Sequence, residues 1–242
     1  MKNSIYSTAA GMLTSLARLD IATNNLVNIG TTGYKSDISF EETLRNLSNG
    51  PFPGKDQPVL GGNAIDMKNG IIQTTGRDLD LAFEGPGFFA VLGPNNQELY
   101  TRNGEFALNS NKELVNADGY NILDKFDKKI TVIGDKFQFS PSGELFIDGA
   151  YYTTTKIVDI PNRDHLEKIG GTFFKLKDNA PQPQPVETPQ IAVGALEKSN
   201  ADLLLEAANI SNTQRTFDAQ KAVADVVLNS LRKVITEIPR PI

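Results

Sequence analysis

The sequence contains no cysteine, no tryptophan and a single histidine, His165. The absence of cysteine excludes disulfides, thiolate metal sites and cysteine nucleophiles. A Ser-His-Asp triad would have to use His165, and a metal site built from several histidines is impossible. Because His165 lies in the polar stretch PNRDHLEK, we interpret it as a solvated loop residue.

The chain also lacks an excess of positive charge and a long apolar run. Its formal net charge is −5 and its pI is about 5.0, which argues against a nucleic-acid partner because such partners need a basic face. No apolar run approaches the ~18 residues that a membrane helix requires, so we expect no direct membrane insertion. Arg18 and Asp20 interrupt the N-terminal segment, and we expect no cleaved secretion signal.

Near both ends of the chain, apolar residues recur at alternating steps of four and three, which predicts helices with a heptad seam. The N-terminal seam consists of Ile5, Ala9, Met12, Leu16, Leu19, Thr23 and Leu26. The C-terminal seam consists of Leu203, Ala207, Ile210, Gln214, Phe217, Lys221, Ala224, Leu228, Leu231, Ile235 and Ile238. Gln214 and Lys221 are polar, and they either specify the register of the seam or flank a slightly shifted stripe.

Polar and special residues mark the ends of the second predicted helix. Asn200 or Ser199 is expected to cap its start, and Asp202 suits the positive end of the helix dipole. Pro239 and Pro241 are expected to stop it.

At the exit of the first predicted helix, Asn24, Asn25 and Asn28 are expected to satisfy backbone groups. Gly30 and Gly33 permit a positive φ there. These residues either only end the helix or also contact a neighbouring subunit.

The middle of the chain predicts an antiparallel β domain, because short apolar or aromatic runs alternate with turn signals. Strands are expected in the segments 87–92, 99–102, 136–139, 144–147 and 172–177. Turns are expected at Asn69-Gly70, Asn103-Gly104, Asp118-Gly119, Ser142-Gly143 and Asp148-Gly149. No tandem repeat is evident.

The predicted fold class is therefore α+β, with N- and C-terminal helices pairing as a coiled-coil-like domain around a mainly antiparallel β domain. The predicted boundaries are an N-terminal helix in 1–34, an extended connector in 35–65, a β domain in 66–190 and a C-terminal helix in 191–242. The connector is rich in glycine and proline, and a proline-rich stretch at 180–190 precedes the last segment.

Two features imitate enzyme sites. The segment 85–90 reads GPGFFA, but a dinucleotide fingerprint needs a following helix, and this one leads into a predicted strand. Asp78, Asp80 and Glu84 would share one face of a strand, as in a glycosidase pair or a cation site. We interpret them as a solvent face opposite Leu79, Leu81 and Phe83, and we predict no catalytic, cofactor-binding or metal residues.

Three stretches resemble the flagellar rod and hook proteins. Residues 22–35, ATNNLVNIGTTGYK, resemble the N-terminal signature of that family, with Val27, Tyr34 and Ser36 as departures. Residues 76–91 and 100–120 resemble its central β signature, and residues 193–223 its C-terminal signature. The matching residues at the two ends are Asn24, Asn25, Leu26, Asn28, Thr32, Gly33, Lys35, Leu196, Glu197, Ser199, Asn200, Gln214 and Arg215.

The resemblance implies a structural subunit of the bacterial flagellar basal-body rod, not an enzyme. Such a subunit would polymerise helically through its terminal helices and transmit motor torque to the hook. The partners implied are copies of itself, other rod and hook subunits, and the flagellar type III export apparatus, with no cofactor. The implied location is the periplasmic rod of the cell envelope, reached without a cleaved signal peptide.

The length and the opening SIYSTAAGM favour a proximal rod subunit, with a distal rod or hook-type subunit as the alternative. Two other classes remain open from the residues alone. One is a secreted β-domain binding module on a helical stalk, and the other is a hydrolase that uses Asp78, Asp80 or Glu84.

Overall fold

The computed structural model describes residues 2–39, 63–134 and 136–237. The chain divides into two compact units. A helix unit comprises Met1–Val27, Asp37–Ile65 and Asp202–Ile242, and a β unit comprises Asn28–Ser36 and Asp66–Ala201. The chain therefore passes between the units four times. Most of the predicted connector, residues 40–62, lies outside the described residues.

The helix unit contains two long helices, α1 (Lys2–Val27) and α2 (Leu203–Glu237), which contact each other. Beside them, β1 (Asp37–Ser39) pairs antiparallel with β2 (Asn63–Ile65). Neither described helix combines the length and the apolar character needed to cross a membrane. The unit is thus a helix pair with a small two-stranded sheet.

The start of α2 corrects one prediction. The Asp202 carboxylate accepts the backbone N–H groups of Leu204 and Leu205 at 2.8 and 3.0 Å. It therefore satisfies two of the donors that a helix leaves unpaired at its N-terminus, and neither Asn200 nor Ser199 is the cap. At the other end, Pro239 and Pro241 lie outside the described residues.

The β unit is built from antiparallel pairings only, as far as its described strands show. Its main sheet contains β5 (Phe88–Leu92), β6 (Glu98–Thr101), β7 (Phe106–Leu108), β8 (Leu114–Asn116), β9 (Asn121–Ile122), β13 (Ile157–Asp159), β14 (Leu166–Gly170), β15 (Phe173–Leu176) and β16 (Gln184–Pro185). The main path runs β14-β15-β6-β5-β9-β8-β7, and β13 joins β5 to β16.

Three smaller sheets complete the unit. They are β10 (Phe137–Phe139) with β11 (Glu144–Ile147) and β12 (Ala150–Thr154), β4 (Leu81–Phe83) with β17 (Ile191–Val193), and β3 (Ile72–Thr74) with β18 (Ala195–Glu197). The five predicted strand segments each contain a strand, so the antiparallel β middle of the α+β prediction is confirmed.

The core of the β unit is aromatic and aliphatic. Phe89 packs against Phe83 with ring centroids 4.3 Å apart and against Phe106 at 5.0 Å. Leu81 and Ile122 are completely buried in the same cluster. Each such side chain contributes ~1.5–3 kcal/mol when it leaves water, so this cluster holds the sheets together.

Asp80 corrects the interpretation of the acidic segment as a solvent face. Its side chain is fully buried, and it accepts a hydrogen bond from the Thr75 hydroxyl at 2.6 Å. Asp78 and Glu84 are exposed. The three carboxylates therefore do not share one face, because the strand begins only at Leu81.

The Asp118-Gly119, Ser142-Gly143 and Asp148-Gly149 turns are confirmed, since each joins two consecutive strands. Asn69-Gly70 is instead part of an irregular approach to β3. Asn103-Gly104 lies in a tight connection where a Cβ on Gly104 would be 1.8 Å from the Leu81 carbonyl oxygen.

Two hairpins of the β unit repeat the same local structure, which sequence reading missed. In β7–β8, the Asn109 N–H donates to the Glu113 carbonyl at 3.0 Å; in β10–β11, the Ser140 N–H donates to the Glu144 carbonyl at 2.9 Å. The residue before each glutamate has a positive φ, 60° at Lys112 and 76° at Gly143. The hairpins are an internal repeat in which only one copy has the glycine that this φ favours.

Candidate functional site

The N-terminal and C-terminal signature segments meet inside the β unit. The Gly33 N–H donates to the Glu197 carbonyl at 2.7 Å, and the Asn200 N–H donates to the Tyr34 carbonyl at 3.4 Å. Leu196 is buried beside them. Residues more than half the chain apart are thus held together by backbone hydrogen bonds.

Position 33 must be glycine because the backbone of the neighbouring segment lies very close to it. Its φ is +69°, and a Cβ there would lie 2.4 Å from the backbone nitrogen of Asn103. A side chain would therefore be both strained and in collision with the next segment. Gly30, the other glycine expected to need a positive φ, does not have one.

Lys35, Arg102 and Glu197 form a buried charged cluster. The Lys35 ammonium lies 2.6 Å from Glu197 Oε1, and the Arg102 guanidinium lies 3.4 Å from Glu197 Oε2. Their side chains are 1%, 3% and 0% exposed. Within these three residues, two cations share one carboxylate.

Hydrogen bonds extend the cluster to the segment before β3. The Lys35 ammonium also donates to the Lys68 carbonyl at 2.7 Å, and the Gly70 N–H donates to Glu197 Oε1 at 2.9 Å. Burial removes the charged groups from water and thereby lowers the pKa of Lys35, although Glu197 opposes the shift. Burial likewise lowers the pKa of Arg102.

Asn200 joins two further segments with its amide group. Its Oδ1 accepts the Ser36 N–H at 2.7 Å, and its Nδ2 donates to the Asp66 carbonyl at 2.8 Å. The Asp66 N–H in turn donates to the Ser36 carbonyl at 2.8 Å. One side chain therefore fixes three points at which the chain enters or leaves the β unit.

Asn25 has a comparable role in the helix unit. Its Oδ1 accepts the Asp37 N–H and its Nδ2 donates to the Asp37 carbonyl, both at 2.9 Å. The same Nδ2 donates to the Glu206 carboxylate at 2.8 Å. Asn25 and Glu206 are buried, so this amide links α1, α2 and the strand β1.

The contact between α1 and α2 includes polar and small residues. The Ser15 hydroxyl donates to Gln220 Oε1 at 3.1 Å, and a Cβ on Gly11 would lie 3.0 Å from the Gln220 amide nitrogen. The contacts Ser15–Gln220 and Asn25–Glu206 run in opposite directions along the two helices, so the pair is antiparallel.

The predicted assembly residues other than the buried Asn25, Gly33 and Leu196 fall into three groups. Met12, Leu19, Leu26, Ile210 and Phe217 are half-buried, whereas Leu16, Asn24, Leu203, Gln214 and Leu228 are exposed. Asn28 is half-buried and its Oδ1 accepts the Thr31 hydroxyl at 3.2 Å. The side chains of Ile5, Leu231 and Ile235 lie outside the described residues.

Sequence reasoning missed the buried charges Lys35, Arg102, Glu197 and Glu206. A charged residue ordinarily indicates solvent exposure, so none was placed in a site. Lys35 and Glu197 did stand in the signature segments, and that position was the only available signal for them.

Comparisons with known proteins agree with the signatures. Residues 82–163 match the family model of the flagellar hook protein FlgE/F/G D1 domain. The flagellar basal-body rod protein FlgG of Bacillus subtilis (strain 168) is 30% identical over 263 residues, covering 96% of this chain and 98% of its own length. The flagellar basal-body rod protein FlgF of Caulobacter vibrioides is 28% identical over 244 residues, covering 98% of both chains.

A hook protein is similar over a shorter region. The flagellar hook protein FlgE of Salmonella typhimurium is 33% identical over 116 residues, which is 48% of this chain and 28% of the hook protein. The similarity to the two rod proteins therefore extends over nearly the whole chain, and that to the hook protein over about half of it.

Proposed function

The chain belongs to the family of flagellar rod and hook proteins, and from this membership we propose that it is a structural subunit of the flagellar basal-body rod. In this role the chain binds copies of itself and other rod or hook subunits, and it catalyses no reaction. The observation that supports the role best is the distribution of apolar side chains on α1 and α2.

Both helices expose large apolar side chains to solvent. Between 44% and 79% of each of these side chains is exposed: Tyr6, Leu13, Leu16, Val27, Leu203, Leu204, Leu205, Val223, Val226 and Leu228. A monomeric soluble protein rarely exposes contiguous apolar surface of this kind without a partner. The helix unit thus has apolar surface that a second protein can cover.

Most of the exposed residues lie away from the contact between α1 and α2, and Leu203 and Leu228, which share the Glu206 side of α2, are the exceptions. At 3.6 residues per turn, Leu13 lies on the face of α1 opposite Ser15 and Asn25, and Val226 lies on the face of α2 opposite Glu206. Both helices therefore keep large apolar side chains exposed on faces that the contact within the subunit does not use. We also propose that α1 and α2 pack with a coiled-coil geometry.

Assembly follows from the free energy of burying these faces. Each large apolar side chain contributes ~1.5–3 kcal/mol when it is fully buried. Several such residues on each helix offset the loss of freedom that association costs. Rods would therefore be stabilised by helix faces that a lone subunit cannot cover.

A substitution on the exposed face tests this role. Val226→Asp should leave the free energy of unfolding of the monomer nearly unchanged, because Val226 is 65% exposed. It should nevertheless abolish rod assembly and motility, because a carboxylate cannot be buried unpaired between helices. Val226→Leu, which keeps this position apolar, is the control and should support motility. Normal rods with Val226→Asp would contradict the proposal.

The proposal also specifies the position of the subunit in the rod and its route of export. We place the subunit in the proximal rod within the cell envelope, and we infer export through the flagellar type III apparatus without a cleaved signal. The relatives bear both the FlgG and the FlgF names, so a distal position is the alternative. Locating the chain in isolated basal bodies by electron microscopy, from cells with and without a functional export apparatus, tests both points.

A further inference from the structure

The Asn69-Gly70 pair lies beside the charged cluster formed by Lys35, Arg102 and Glu197. We propose that Asn69 deamidates in the folded chain, and that the carboxylate so formed supplies a second negative charge to this cluster. The inference rests on three features of the β unit: the contacts of Asn69, the contacts of Gly70 and the charge balance of the cluster.

Two features of the Asn69 side chain favour this reaction. Asn69 is exposed, so water can reach it. Its Oδ1 accepts a hydrogen bond from the Arg102 guanidinium at 3.4 Å. A cationic donor at this oxygen polarises the amide carbonyl and stabilises the negative charge that develops on the oxygen during nucleophilic attack.

The backbone nitrogen of Gly70 is the nucleophile. Its N–H donates to Glu197 Oε1 at 2.9 Å, so a carboxylate is in position to accept the proton that this nitrogen must lose. Residue 70 must be glycine, because a Cβ would lie 1.8 Å from the Lys198 carbonyl oxygen. Glycine is also the residue that hinders attack on the preceding side chain least.

The reaction is balanced with water as the only co-reactant. The Gly70 nitrogen forms a bond to Asn69 Cγ, its proton passes to Glu197, and the Cγ–Nδ2 bond breaks. The amide nitrogen leaves as ammonia, taking a proton from Glu197, and a cyclic succinimide remains. Water then opens the ring, which gives an aspartate or an isoaspartate at position 69.

The charge balance favours the product. Lys35 and Arg102 are nearly completely buried and share Glu197 as their directly contacting carboxylate, while Asp66 and Asp159 act on them without a direct ion pair. Uncompensated buried charge is costly. A carboxylate at position 69 would replace a neutral amide contact to Arg102 with an ion pair, so the modified β unit should be more stable than the unmodified one.

A second Asn-Gly pair in the same unit is an internal control. Asn103 is buried, and its Oδ1 accepts the N–H of Glu105 at 3.0 Å. Trypsin cleaves after Lys68 and after Arg102, so both pairs begin their own peptides, 69–77 and 103–112. Because peptide 103–112 also contains Asn109 and Asn111, conversion at Asn69 and at Asn103 is assigned from fragment ions by tandem mass spectrometry of one sample of the full-length protein.

The first test incubates the folded protein and a urea-unfolded sample at neutral pH. We expect Asn69 in the folded protein to convert about tenfold or more faster than Asn103, and faster than Asn69 in the urea-unfolded sample, because general-base assistance requires the fold. Equal rates at the two sites, or a faster rate in urea, would overturn the proposal.

Two variants separate the chemistry from the stability. Glu197→Gln keeps an oxygen for the Gly70 N–H but removes the base, so conversion at Asn69 should slow in the folded fraction. If this variant does not fold, Asn69→Asp still provides a test, because it should raise the Tm by several degrees, whereas Asn69→Ala should not. An unchanged or lower Tm for Asn69→Asp would refute the charge argument.

Discussion

Replacing Glu197 by glutamine tests whether the charged cluster holds the signature segments together. The substitution keeps the shape of the side chain but leaves Lys35 and Arg102 buried without a carboxylate. Removing one partner of a buried ion pair costs about 3–5 kcal/mol. For a unit of this size each kcal/mol corresponds to about 2–4 °C, so the Tm of the β unit should fall by about 6–20 °C.

The assay is thermal and urea unfolding followed by circular dichroism in the β region of the spectrum. Glu167→Gln is the matched control, since Glu167 pairs with Lys175 at 3.0 Å but its side chain is 51% exposed. A surface pair contributes about 0–1 kcal/mol, so this control should unfold nearly as the parent does. If Glu197→Gln loses no more stability than Glu167→Gln, the cluster does not hold the segments.

The pH dependence gives the same substitution a second readout. Burial lowers the pKa of Lys35 below its ordinary 10.5, and Glu197 opposes this shift. Without Glu197 the pKa in the folded protein should fall further, while the unfolded chain keeps the ordinary value. Between these two values the unfolded chain binds more protons, so the free energy of unfolding rises with pH there. Glu197→Gln should therefore regain stability more steeply than the parent as the pH rises toward the ordinary lysine pKa of 10.5; parallel curves would contradict this reasoning.

Three further substitutions probe other parts of the molecule. Lys112→Gly should stabilise the β unit by about 1 kcal/mol, because Lys112 has a φ of 60° where glycine has no steric cost; an equal or lower midpoint in urea would count against the hairpin repeat. Asn25→Ala should destabilise the helix unit by about 1–3 kcal/mol, because it removes the buried amide that binds the Asp37 backbone and the Glu206 carboxylate. Asn212→Ala, at an exposed position in α2, is the comparison, and equal losses of helical signal on heating would refute the role of Asn25. Asp78→Ala with Glu84→Ala should leave motility intact; loss of motility with normal folding would reopen a catalytic role.

The sequence predicted the elements of the fold better than their partners. Leu145 and Phe89 lie in strands because alternating or continuous apolar runs bounded by turn residues identify strands locally. The helices at both ends could likewise be predicted, because heptad spacing is a local pattern of the sequence. The prediction that Asp80 faces solvent was wrong, because its burial depends on the hydrogen bond with Thr75 and on strand pairing, which no local sequence pattern encodes.

In the candidate site, too, some residues could be selected from the sequence and others could not. Asn25, Gly33 and Asn200 were selected from the signature segments, and each has several specific hydrogen bonds or a constrained backbone in the structure. Lys35 and Glu197 were not selected, because a buried ion pair between residues far apart in sequence appears only when both are brought together. The faces of the helices also required the structure, because Ser15 and Gln220 do not stand out in a hydrophobic pattern.

Accessibility of the terminal helices in assembled rods tests the central claim most directly. The chain contains no cysteine, so Leu204→Cys or Val226→Cys introduces a single thiol on an exposed helix face. The reactivity of this thiol toward a maleimide would be measured in the purified monomer and in isolated basal bodies. We expect rapid labelling of the monomer and strong protection in basal bodies that contain the protein. Equal labelling in both samples, or absence of the protein from basal bodies, would contradict assembly of a rod through these helix faces.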